Sequence, residues 1–78
     1  MSTDWDRKEN QRTATMPPGT RVRSHFRARW TGIVVAHVPN GPKRMIPKIK
    51  VTHDRNGNLL RKPIYHTYSS FWLTIVDE

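Results

Sequence analysis

Polar and apolar positions alternate over residues 20–26, where Val22, Ser24 and Phe26 interleave with Arg21, Arg23 and His25. That is the period of a strand with one wet face. Residues 31–38, TGIVVAHV, form a β-branched run too short and too closely flanked by glycine for a helix, which predicts a second, central strand. PNGPKR then interrupts as a loop. Alternation resumes over residues 45–53, with Ile49 and Val51 opposite Lys48 and Lys50, and Pro47 predicts an edge position or a bulge near the start of that strand. The Asn56-Gly57 pair in DRNGN is a hairpin signal, because it tolerates the positive φ that tight turns require. LLRKPIYHTY makes a fourth strand interrupted by Pro63, SSF one short helical turn, and WLTIV a closing strand.

Residues 1–18 show neither period, are polar, and end in Pro17-Pro18-Gly19. The expectation there is a flexible, disordered tail with Trp5 as its one large apolar side chain, ahead of a folded domain over 19–78. An open sheet of five short strands would expose two edges and one apolar face, so an all-β, closed or nearly closed five-stranded barrel is expected. The succession of a basic loop, a Pro/Gly loop, an Asn-Gly hairpin and a short turn resembles that of SH3-like small barrels. The expected core is Val22, Phe26, Ile33, Val35, Ile49, Val51, Leu59, Ile64, Phe71, Leu73 and Ile75. The apolar residues of the second strand fall on both faces, which leaves its parity open. It also raises the expectation that something covers its outer side, either a loop of the same chain or a second copy.

Length adds that one domain of 78 residues buries only about 60% of its unfolded surface, so stability is expected to be marginal. The chain has no cysteine, which excludes disulfides, thiolate chemistry and Cys-rich zinc modules. No run approaches the roughly 20 apolar residues of a membrane span, and the first residues lack the apolar core of a signal peptide. A cytoplasmic protein with no membrane partner is expected. Net charge is +8, and residues 19–76 carry eleven Lys or Arg against one acid, Asp54. Those cations cannot be neutralised by internal ion pairs, and such a field attracts polyanions.

Two resemblances follow from particular residues. PGTRVR followed by WTGIVVAHV, a match over about residues 19–38, resembles the KOW-type small barrels of ribosomal and transcription-elongation proteins, which implies an SH3-like fold whose basic loops bind RNA or protein. The spacing of Gly19, Arg21, Val22, Arg23, Ala28, Trp30, Gly32 and Val34 is similar to that of the plasmid-encoded type II dihydrofolate reductases, SH3-like barrels that assemble as tetramers around a pore. That family's Val-Gln-Ile-Tyr string meets Lys62-Pro63-Ile64-Tyr65 here, and its lysine after RVR is Ser24. The resemblance therefore implies shared architecture without the pore chemistry.

Candidate chemistry centres on the cations. Arg21 and Arg23 point the same way in a strand, and Arg27 and Arg29 continue toward Trp30. Guanidinium groups grip phosphates at two points, and an indole can stack on a base or instead close the core. Lys43, Arg44, Lys48 and Lys50 form a second basic set, expected to share one cleft with the residues 27–30 loop. Arg61 and Lys62 form a third set, as consistent with a wet strand face as with binding. His25, His37, His53 and His66 have no ligand spacing, and with Asp54 as the one acid of the barrel neither a metal site nor acid-base catalysis is expected. No cofactor is expected. The leading expectation is a non-enzymatic protein that binds RNA or DNA mainly through phosphates. The second is a barrel that oligomerises through its second strand or docks on an acidic protein. A reductase of the plasmid type is the third.

Overall fold

Each of the five expected strand segments forms a strand, and together they make one antiparallel sheet. The computed structural model describes residues 4–25 and 29–76. The strands are β1 (Arg21–Ser24), β2 (Thr31–Pro39), β3 (Met45–His53), β4 (Leu59–Thr67) and β5 (Leu73–Ile75), with a single 3-10 turn, Ser70–Trp72, before the last. Their order across the sheet is β4-β3-β2-β1-β5. β4 and β5 are therefore its edges, and the sheet does not close into a barrel. The DRNGN turn forms as its sequence requires: Gly57 takes φ of 84°, and the Asp54 carboxylate accepts from the amides of Asn56 and Asn58.

Within the expected tail, the described residues include a helix, α1 (Asp4–Ala14). Asp4 and Asp6 sit in its first turn and Arg12 in its last, the polarity that suits a helix dipole. Its inward stripe is Asp6, Glu9, Asn10 and Thr13, at helical spacing but polar, so a search for apolar periodicity passes over it. Thr13 donates to the Met45 carbonyl at 2.8 Å. The Asn10 amide donates to the Lys43 carbonyl at 2.9 Å and accepts from the Met45 amide at 2.8 Å. Arg12 donates to the carbonyls of Ser70 and Leu73, and Met16 follows the helix into the core.

That core holds Met16, Val22, Trp30, Val34, Ile49, Val51 and Leu73. Val22, Ile49, Val51 and Leu73 are where the alternation placed them. The parity of β2, open from the sequence, is set against the expected core places of Ile33 and Val35: Gly32 and Val34 face inward, Ile33 is half-buried on the other face, and Val35 is exposed at a register shift. Leu59, Ile64 and Ile75, expected inside, are exposed because they lie on the two edge strands of an open sheet. Phe71 is half-buried outside the cluster, and Phe26 lies outside the described residues.

Gly32 shows why β2 faces as it does. A Cβ there would stand 2.6 Å from both the Lys50 carbonyl oxygen and Ile49 Cγ2, so the backbones of β2 and β3 meet where a side chain cannot fit. Gly32→Ala is expected to destabilise the protein by about 1–3 kcal/mol, the usual cost of overpacking. Urea denaturation would check this, and an unchanged midpoint would refute the close approach. The two prolines sit where amide donors are not needed. β3 is interior rather than an edge, but the β3–β4 ladder begins at Lys48, one residue past Pro47. Pro63 is on edge strand β4, inside the irregular stretch between the Val51–Ile64 and His53–Leu59 pairs.

Candidate nucleic-acid interface

Directly opposed residues of an antiparallel ladder share a face. Arg21 pairs with Ile33, Ile33 with Lys50, and Lys50 with Tyr65, so these four form one row across β1 to β4. Period two adds Arg23 beside Arg21 and Lys48 beside Lys50. The outer face of the sheet thus presents Arg21, Arg23, Lys48 and Lys50, with the Lys48 ammonium 5.4 Å from the centre of the Tyr65 ring. The strands contribute no carboxylate to this face. Asp54, the one acid between residues 19 and 76, is held in the hairpin turn by two backbone amides.

Tyr65 belongs to this face although nothing local points to it. A regular hairpin continuing from the His53–Leu59 pair would set Lys50 opposite Lys62. Four residues of β4, 60–63, face one of β3, so the register slips by three and Tyr65 meets Lys50 instead. The slip removes a like-charge pair, which is destabilising in a ladder.

The remaining candidates are elsewhere. Arg27 lies outside the described residues. Trp30 is 5% exposed, stacks on His66 at 5.7 Å and meets Tyr68 edge-on at 5.0 Å, so it closes the core and offers no open ring. Arg29 is exposed at the rim of a largely apolar hollow of about 290 Å³ on the inner side, floored by Trp30, Val51, Leu60 and Ile64, with Arg55 also at the rim. Lys43 and Arg44 precede β3, and Arg44 donates to Asp6 of α1 at 2.6 Å. The expected single cleft does not form. Arg29 and Lys43 sit beyond opposite ends of β2, a nine-residue strand about 26 Å long.

The histidines are dispersed. His37 donates from Nε2 to the Met16 carbonyl at 2.8 Å, and His66 packs on Trp30. Among the described residues no three of His, Cys, Asp and Glu gather as metal ligands. Nor is any described helix long and apolar enough to cross a membrane.

A second hollow, of about 680 Å³, lies where α1, the loop before β3, the end of β4 and the 3-10 turn meet. Trp5, Ile46, Phe71 and Trp72 give it its apolar surface, and Asn40, Arg44, Thr67 and Ser69 its polar one. Ile46 is 6% exposed yet separate from the core cluster. It stands on the Lys48–Lys50 side of β3.

In comparisons with known proteins, no family model, no curated protein and no solved structure matches the chain.

Proposed function

We propose that this protein is a non-enzymatic binder of nucleic acid, RNA or DNA, gripping phosphates through the outer face of its sheet with little sequence preference. The observation that carries this reading is the set of four cations, Arg21, Arg23, Lys48 and Lys50, on one face to which the strands bring no carboxylate. A rigid sheet holds neighbouring cations about 7–10 Å apart at the Cα positions, with Arg23 and Lys48 at the far corners about 16 Å apart, so little ordering is needed on binding. The strands carry no Asn or Gln to read base edges, and the face offers mainly charge and one aromatic ring. The strand order, with one helical turn ahead of the last strand, supports an SH3-like reading of the fold, in which the KOW-type resemblance belongs.

Four neutralised phosphates give an expected slope of log affinity against log salt of about −3.6 for duplex and −2.8 for a single strand. Fluorescence anisotropy at several salt concentrations measures it, and a slope flatter than about −1 would refute phosphate gripping. A second reading, docking on a protein, is favoured by one feature: Leu59 and Ile64 on edge strand β4 are 74% and 49% exposed. Sedimentation velocity separates the two, since self-association through that edge raises the mass without any polynucleotide.

A further inference from the structure

The aromatic hollow and the basic face are continuous. Along β3, Ile46, Lys48 and Lys50 follow one another on the same side at steps of about 7 Å. Ile46 floors the hollow, and so does Thr67, which is the ladder partner of Lys48. A phosphate held by Lys48 therefore lies one step from a groove carrying two indoles that water still reaches. Trp5 is 63% exposed and Trp72 39%, and a T-shaped contact with Phe71, centroids 5.5 Å apart, holds the Trp5 ring without covering it.

Building on the nucleic-acid reading above, we infer that the bound form is single-stranded, with unpaired bases lodged in this groove against Trp5 and Trp72 while Lys48 and Lys50 hold the adjoining phosphates. The chemistry selects this occupant. In a duplex the base faces are buried against one another, so a duplex can use the cations and leaves the groove empty. A single strand can use both. An apolar peptide would fill the groove but gain nothing from the neighbouring lysines. Asn40 and Thr67 at the rim provide donors and acceptors for base edges without a pattern that selects one base.

The test uses the full chain with oligo(dT), oligo(U) and a duplex, each of about twelve nucleotides, a length small β-domains can cover. The single strands are expected to bind at least about tenfold tighter than the duplex and to quench tryptophan emission. Trp5→Ala should weaken single-strand binding by about 5- to 150-fold, the worth of stacking one base, and leave duplex binding unchanged. Because this substitution could also loosen α1, Trp5→Phe gives an independent readout. Its remaining indoles are the buried Trp30 and the groove residue Trp72, so quenching by single strands must persist. Comparing oligo(dT) with oligo(U) tells DNA from RNA, and preference for either supports the inference. Equal affinity for single strand and duplex, or Trp5→Phe emission indifferent to bound single strand, overturns it while leaving phosphate binding intact. Failure of all three probes to bind removes the nucleic-acid reading itself.

Discussion

Replacing Glu9 with alanine is expected to cost the fold about 3 kcal/mol and lower Tm by roughly 12–24 °C. Glu9 is 1% exposed, and its carboxylate accepts three hydrogen bonds from the 3-10 turn: from Ser69 Oγ at 2.6 Å, from the Ser70 amide at 2.9 Å, and from Ser70 Oγ. Ser69 in turn accepts from the Phe71 amide, so one side chain of α1 organises the whole turn ahead of β5. Removing it leaves a buried amide and two hydroxyls without their acceptor, each worth about 1–3 kcal/mol, partly recovered as the hydroxyls rotate to other partners. A chain of this length has roughly 4–12 kcal/mol of stability in all, so the loss is a large share. Glu9→Gln keeps one acceptor oxygen and should cost about half as much. Urea denaturation of the three proteins decides it: an alanine variant within about 0.5 kcal/mol of the parent would mean that α1 is not fastened through Glu9. The consequence reaches the proposed site, because α1 carries Trp5 into the groove and Asp6 to Arg44.

The second large effect is on affinity. Neutralising Arg23 and Lys50 together is expected to lower duplex affinity about 60-fold at 0.1 M salt, since each lost phosphate contact removes about 0.9 of a decade there. The salt slope should fall from about −3.6 to about −1.8. Both side chains lie on the outer face, away from the core cluster, so the melting temperature should move little. The comparison that gives the result meaning is Arg55→Ala with Arg61→Ala, which removes the same charge from the hairpin turn and the irregular part of β4. If phosphate binding belongs to the outer face, this second pair loses far less. Equal losses from both pairs would show that only net charge matters and that no face is specialised.

The strands were legible because each carries its own signal. Residues 45–53 alternate, residues 31–38 are β-branched, and Asn56-Gly57 marks the turn, so all five appear within a residue or two of where they were expected. The basic face was legible in part. Arg21 with Arg23, and Lys48 with Lys50, are pairs that period two alone puts on one side. What brings the two pairs together is the β1–β2–β3 register. For Trp30 the sequence left two readings, a stacking surface and a core aromatic, and its partners, His66 of β4 and Tyr68 just after that strand, both more than thirty residues away, decide for the core.

By itself, then, the order of residues determined the number and positions of the strands, the hairpin turn and the strong positive charge, all properties that neighbouring side chains and overall composition settle locally. Only the tertiary structure decided which face of β2 turns inward, that Lys50 meets Tyr65 rather than Lys62, and that residues 4–14 form a docked helix. The physical reason is range: Gly32 faces in because a backbone on another strand leaves no room for a Cβ. Likewise α1 is held by hydrogen bonds to groups 32 to 61 residues away, and hydrophobic periodicity does not register contacts of that kind.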